Sequence, residues 1–408
     1  MKTYHPLNAK TLKTARKDTG TGWENVSTHL SVFWHDTFPK RRHFSVPFAS
    51  RIQSDFANRG DQDPVALFTR SYQPEEIYTL CARQALISPI PEGFYRYNTL
   101  FADDLYFQNA LSVIGTRASI DQGLYERSSV TGEIRIDRRG LAPTHYAGPC
   151  VWLPVFENLG HTICEVLPIL VILKHLNIPA QEATFLVDAA AREYCEVLEA
   201  LGVPKANMVF KENRWITCDE LYWSSFQTSG HMHWPSVYLD EVLALASEIP
   251  CVPVEPEGDL LYISRADAAT RRVLNEEALF QFLKPFGFKK IVPGALTVMQ
   301  QMSAFRKATA IVAPHGMGTA NCYFAQNLQL LLEIFPQGWV RDYYFRAAQI
   351  KNAAYGAYIV GSSGSPSDHP HDITVNISEF APFFTKLVAD HVPYLLEGNR
   401  QLQARCLA

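Results

Sequence analysis

The stretch ATAIVAPHGMGTAN, residues 308–321, runs an apolar, β-rich segment straight into His315-Gly316-Met317-Gly318, with a helix start expected near Thr319. Glycine at 316 and 318 permits positive φ and close backbone approach to a ligand. The free N–H groups and positive dipole end of the following helix favour a phosphate. The same residues also describe a plain strand–helix turn with no ligand. As a dinucleotide fingerprint the match is poor, because Asn321 stands where the third Gly or Ala belongs. Glu333, at the end of the next strand, is placed to bond ribose hydroxyls, or is an ordinary polar strand end.

A second group lies upstream, in Tyr262-Ile-Ser-Arg265 and Thr270-Arg-Arg-Val-Leu-Asn-Glu-Glu277. Arg265 ends a strand, and Arg272 precedes a helix that begins near Asn275. Arginines at such a junction grip phosphate bidentately, which lysine does less well. Asn275 reads as an N-cap with Glu276 and Glu277 in a favourable first turn, or as a ligand contact.

Metal-ligand patterns are weak. Asp61-Gln62-Asp63 matches D-x-D, but roughly one such match is expected by chance in a chain of this size, and it lies in a polar loop-like stretch. His231 and His233 lack further ligand spacing and read as packing residues beside Trp234. No metal is expected.

The elements that must position these residues form an alternating series. Strands are expected at 151–156, 184–187 and 208–210, with helices at 161–176, 189–201 and 238–247. The segment 250–258, rich in Pro and acidic residues, is the best linker. Beyond it come strands at 260–264, 289–292, 310–313 and 329–334, and helices at 276–283, 297–308 and from 319 to 326. Phe380, Phe383, Phe384, Leu387, Val388 and Val392 have helical spacing. The reading is α/β: an N-terminal arm over 1–40, an α/β domain over 41–250, a second over 258–365, and a C-terminal helix and tail over 366–408. Two Rossmann-like units then face a cleft, with the last helix packing back.

Composition narrows the partners. A hydrophobic content of 47%, a charged content of 19% and a net charge of −4 describe an ordinary globular protein with no general attraction to nucleic acid or anionic lipid. Eight scattered cysteines without a C-x-x-C pair suit a reducing compartment. The N-terminus has no apolar core for a signal, and the most apolar window, 166–176, is too short to span a bilayer. The chain reads as cytoplasmic, with peripheral membrane association left open.

Three separated blocks in order resemble glycosyltransferase family 61. They are Asn158-Leu-Gly-His-Thr-Ile-Cys-Glu-Val-Leu-Pro168; Tyr262-Ile-Ser-Arg265 with Arg272-Val-Leu-Asn-Glu276 and Phe286-Gly-Phe288; and Ala313-Pro-His-Gly-Met-Gly-Thr-Ala-Asn321 running on to Glu333-Ile-Phe-Pro336. Residues 1–120 show little resemblance. The family form of the third block is His-Gly-Ala-Gly-Leu-Thr-Asn, so Met317 and Thr319-Ala320 are departures that bear on donor fit.

The resemblance implies a GT-B-like fold and a nucleotide-sugar donor, most often a UDP-sugar. It implies inversion at the anomeric carbon and a hydroxyl acceptor on a glycan or polysaccharide. It points to His161 as the base, near a helix start whose dipole favours neutral imidazole. Glu165, four residues on, either orients His161 or is itself the base; the pair also reads as a helix cap and a structural ion pair. Arg265 and Arg272 would neutralise the diphosphate, beside His315, Gly316, Gly318, Thr319 and Asn321. Asp103-Asp104 is a weaker acceptor-side candidate. The rival readings are an NAD-dependent oxidoreductase, resting on the G-x-G turn and Glu333, and an inactive glycan-binding relative.

Overall fold

The computed structural model describes residues 1–7, 22–35, 46–53, 66–69, 77–89, 99–107, 126–155, 158–211, 214–225, 238–360 and 371–397. The protein is a mixed α/β structure built on two sheets, of twelve and six strands among the described residues.

The first sheet has a parallel part in the spatial order Met208–Phe210, Thr184–Val187, Thr144–Leu153, Ile216–Ser224. Counted along the chain this is order 3-2-1-4, so the direction of winding reverses between Thr144–Leu153 and Ile216–Ser224. Tyr78–Ile87 continues the sheet antiparallel to Ile216–Ser224. In residues 1–40, where the sequence suggests an arm, Lys2–Pro6, Gly22–Asn25 and Leu30–Trp34 are strands of this sheet. Leu30–Trp34 pairs antiparallel with Tyr78–Ile87, and Leu30, Val32 and Trp34 alternate into the core, so pairing and hydrophobic burial hold this segment in place.

All six strands of the second sheet are parallel, in the order Lys289–Ile291, Leu260–Ile263, Ala310–Pro314, Leu330–Pro336, Ala354–Val360, Phe48–Ile52. Its winding reverses between Leu260–Ile263 and Ala310–Pro314. Such reversal points open a crevice beyond the carboxyl ends of the strands. Phe48–Ile52 falls within the stretch that the sequence assigns to the first α/β domain, yet it lies in the second sheet. It covers the open edge of Ala354–Val360, and Arg51 pairs with Glu379 of the C-terminal helix at 3.2 Å.

One continuous core joins the sheets. It runs from Val151 and Leu153 of the first, through Ile163, Leu167 and Tyr323, to Ile311 and Leu331 of the second. The far face of the second sheet packs Tyr262, Val312 and Leu332 against Leu283, Phe380, Phe384 and Leu387. The helix Ile377–His391 does pack back, as its spacing predicts. It comes so close that a Cβ on Gly356 would stand 2.6 Å from Leu387 Cδ1. No helix among the described residues is long and apolar enough to cross a membrane.

Local geometry departs from expectation at three sites. The expected helix over 161–176 is a turn of α-helix at Leu159–His161, a π-helical turn at Thr162–Val166, and α-helix from Leu167 to His175. Pro168 accounts for the wide turn: in a regular α-helix its ring would clash with the Cys164 carbonyl. The 189–201 helix is 3-10 over Ala189–Tyr194 and α only over Cys195–Ala200. The helix expected from Thr319 starts earlier, as 3-10 turns over Met317–Phe324.

Candidate functional site

At the winding reversal of each sheet a strand runs into a helical turn, and these two turns meet. Leu159–His161, which follows the strand Thr144–Leu153, packs against Met317–Phe324, which follows Ala310–Pro314. A cavity of about 1040 Å³ opens at this junction. Arg265, Arg271, Gly318 and Thr319 line it from the second sheet, and Leu159, Arg192 and Tyr194 line it from the first.

Arg265 leaves the end of Leu260–Ile263 and donates from Nη2 to the Thr270 carbonyl at 3.0 Å. Its guanidinium lies directly on Gly316. Arg271 has φ of 60°, a left-handed conformation that carries its side chain into the cavity. Burial pushes the Arg271 guanidinium down to about 10, and the neighbouring Arg265 and Arg341 charges add to that shift. Arg265 is also pushed down by burial. Both remain cations at neutral pH. Arg265 Nε, Arg271 Nε and Thr319 Oγ1 are buried and have no hydrogen-bond partner among the described residues.

Arg272 points elsewhere. It donates to Asp372 from Nε at 3.0 Å and from Nη2 at 2.6 Å, outside the cavity, and is half exposed. The sequence nominates Arg272, but of the two neighbours it is Arg271 that lines the cavity. Two adjacent arginines project to different sides of the chain, and nothing in the string Thr270-Arg-Arg-Val shows that a left-handed residue selects the first.

The remaining donor-side candidates divide into supporting and remote positions. His315 is buried and gives Nδ1–H to Glu333 Oε1 at 2.7 Å, while Tyr355 gives its hydroxyl hydrogen to Glu333 Oε2, also at 2.7 Å. Burial pushes the His315 imidazole down, Glu333 opposes this, and Arg271 and Arg265 reinforce it. His315 is therefore neutral at neutral pH. Both Glu333 oxygens are thus engaged, and the residue is fully buried.

Asn321 donates to Gln301 Oε1 at 2.8 Å and to the Gly318 carbonyl at 3.1 Å, which fixes the loop. Asn275 occupies the N-cap position of Glu276–Leu283 without capping it. Its amide instead exchanges two hydrogen bonds with the Val375 backbone, at 2.8 and 3.0 Å. Glu276 accepts from Tyr262 at 3.1 Å and faces Lys290 at 3.5 Å. Neither Asn275 nor Glu276 lines the cavity.

On the first-sheet side Asn158 caps the helix, accepting from Gly160 N at 2.9 Å and His161 N at 3.4 Å. His161 is half-buried, and Glu165 is buried within the π turn. The i, i+4 argument that put them on one face assumes 3.6 residues per turn, and the wider π turn alters that register. Asp103 closes a hairpin turn by accepting from Ser27 and His29, a structural role. Asp61-Gln62-Asp63, His231 and His233 lie outside the described residues. Among the described residues no group of three or more His, Cys, Asp or Glu side chains is arranged to hold a metal ion.

Residues 159–329 match the family model described as Glycosyltransferase 61. The match begins beside the first sequence block and runs past Asn321 of the third. No curated protein matches the chain.

Proposed function

Since residues 159–329 make this chain a member of glycosyltransferase family 61, and so a glycosyltransferase, we propose that it moves a sugar from a nucleotide-sugar of the UDP type to a hydroxyl of a glycan or polysaccharide. The observation that supports this reading is the set of three buried, unpartnered polar atoms, Arg265 Nε, Arg271 Nε and Thr319 Oγ1, on residues that line one cavity. Buried donors without acceptors are costly, by about 1–3 kcal/mol each. A diphosphate supplies the acceptors.

In this reading the two guanidiniums and the loop at Gly316–Gly318 stabilise the negative charge that grows on the departing diphosphate, a preorganised electrostatic role that needs no metal. His161 takes the proton of the acceptor hydroxyl as the oxygen attacks the anomeric carbon and the bond to the diphosphate breaks, with inversion. Glu165 sets the His161 environment from within the π turn, or serves as the base itself. Neutral His315, tied to Glu333, supports the loop without adding a third charge beneath it. The two sheets would act as the halves of a GT-B-like enzyme joined at 250–258, with donor on the second and acceptor on the first. We place the enzyme in the cytoplasm, in polysaccharide biosynthesis.

The test is release of nucleoside diphosphate from a panel of UDP-, GDP- and CMP-sugars, with an acceptor panel and EDTA present. Turnover of a UDP-sugar in EDTA is expected. Binding of NAD with no nucleotide-sugar consumed would overturn the reading, as would activity that appears only with Mn²⁺.

A further inference from the structure

Arg265 and Arg271 at the cavity, with Arg341, differ from three ion-paired arginines away from it in what holds them. Away from it, Arg272 is paired with Asp372 at 2.6 Å, Arg346 with Asp342 at 2.8 Å and Arg51 with Glu379 at 3.2 Å. Among the described residues no carboxylate stands within ion-pair distance of Arg265, Arg271 or Arg341. Two of these three instead face an aromatic ring. Arg341 Cζ lies 4.0 Å from the centre of the Trp339 ring, and Arg271 Cζ lies 6.0 Å from it. Trp339 follows Leu330–Pro336, so it stands at the same carboxyl edge of the second sheet as Arg265 and Gly316.

A carboxylate would neutralise a guanidinium and occupy its N–H fork. An indole face attracts the cation through its quadrupole and takes up none of the five donors. The first contact is close, and the second is at the outer range of such attraction. Arg341 is near enough to Arg271 to press its guanidinium down, so the three charges act on a common region. Like charges placed together repel one another, and an anion bound among them relieves that repulsion.

We infer that Trp339 is a positioning residue for the anion site, holding Arg341 and Arg271 where a carboxylate would otherwise stand. Arg341 thereby joins Arg265 and Arg271 as a third guanidinium for the donor diphosphate. The inference rests on the diphosphate reading above and deepens it. Arg341 is not among the residues that line the cavity, so it acts through charge first and contact second.

The experiment titrates inorganic pyrophosphate into the full chain by calorimetry, at low and at moderate salt. The variants are Arg341→Gln, Trp339→Phe, Trp339→Leu, Arg265→Gln and Arg271→Gln, with folding checked by circular dichroism. Arg341→Gln and Trp339→Leu are expected to weaken pyrophosphate about tenfold and to flatten its salt dependence. Trp339→Phe should keep most of the affinity, because a ring remains. Should Trp339→Leu fail to fold, Arg341→Gln and Trp339→Phe decide the matter. Wild-type affinity and salt dependence in Arg341→Gln would overturn the inference, and so would a loss in Trp339→Phe equal to that in Arg341→Gln. If Arg265→Gln and Arg271→Gln also bind like wild type, the diphosphate reading itself falls. If those two lose binding while Arg341→Gln keeps it, only the role of Trp339 and Arg341 is lost.

Discussion

The guanidinium of Arg265 occupies the space where any other residue at position 316 would carry its Cβ. A Cβ built on Gly316 would come within 2.6 Å of Arg265 Cζ. Gly316 has an extended backbone with φ of 173°, so its glycine is required by this close approach and not by a left-handed turn. The two sequence blocks that contain these residues are thus locked together: the glycine loop leaves room for the arginine, and the arginine roofs the loop.

Gly316→Ala is therefore expected to push Arg265 off the loop. Overpacking of this kind costs about 1–3 kcal/mol. Thermal denaturation should show a modest loss of stability, and a UDP titration a much larger loss of affinity. Wild-type UDP affinity in a folded Gly316→Ala protein would show that the contact has no part in binding.

Arg271→Gln and Arg272→Gln separate two neighbours that the sequence does not distinguish. Arg272 pairs with Asp372 while half exposed, so its loss should leave stability nearly unchanged and UDP binding intact. Arg271→Gln should leave stability almost unchanged and weaken UDP binding at least tenfold, a loss on the scale of one charge-assisted hydrogen bond, about 1.5–3 kcal/mol. The reverse pattern in calorimetry would restore Arg272 to the site.

Glu333→Ala removes the acceptor for both the His315 Nδ1–H and the Tyr355 hydroxyl. Two stranded donors in a buried site predict a loss of about 2–5 kcal/mol, read by urea denaturation. Glu333→Gln, which keeps one acceptor, should lose less. A Glu333→Gln protein that is fully stable but cannot bind nucleotide would mean that the carboxylate meets the ribose after all.

Acid stability should report on His35. This imidazole is buried, accepts from or donates to Thr79 at 2.9 Å and Tyr238 at 3.1 Å, and is pushed down from 6.5 to about 4 by burial and then by His175. As pH falls below 6.5 the unfolded chain takes up a proton at this residue and the native protein does not. Stability on the order of 3 kcal/mol, present above pH 6.5, is therefore lost as the pH approaches about 4. His35→Gln should show a shallower decline between pH 6.5 and 5 in denaturant titrations. An identical slope would place the proton elsewhere.

Much of this arrangement is legible in the chain. Thr184–Val187, Met208–Phe210 and Glu276–Leu283 lie where apolar periodicity puts them, because burial of one face or of a whole strand writes itself into the residue pattern. Ile216–Ser224 is not among the expected strands. Asp219 and Glu220 break the apolar run, although alternate residues are buried. The π turn at Thr162–Val166 has only Pro168 to signal it. The His315–Glu333 bond joins the residue just past Ala310–Pro314 to one on the neighbouring strand, where Glu333 pairs with Ala313, a proximity that no local spacing reveals. Arg271 was hidden for a similar reason, since its direction depends on one backbone dihedral.

His161 carries the chemical half of the proposal. His161→Ala should abolish transfer while leaving UDP affinity nearly intact, since Leu159 and not His161 lines the cavity. Glu165→Gln, assayed beside it, assigns the base: loss of turnover in both variants, with a shifted pH profile in Glu165→Gln, marks Glu165 as the orienting partner. Unchanged turnover in His161→Ala would end its nomination.

If Arg265 and Arg271 hold the diphosphate without a metal, UDP binds the wild-type chain in excess EDTA. Calorimetric titration of UDP into the wild type and the Arg271→Gln variant, both in excess EDTA, should show wild-type binding and at least a tenfold loss in Arg271→Gln. Equal affinity in the two proteins, or wild-type binding that appears only when Mn²⁺ replaces EDTA, would contradict it.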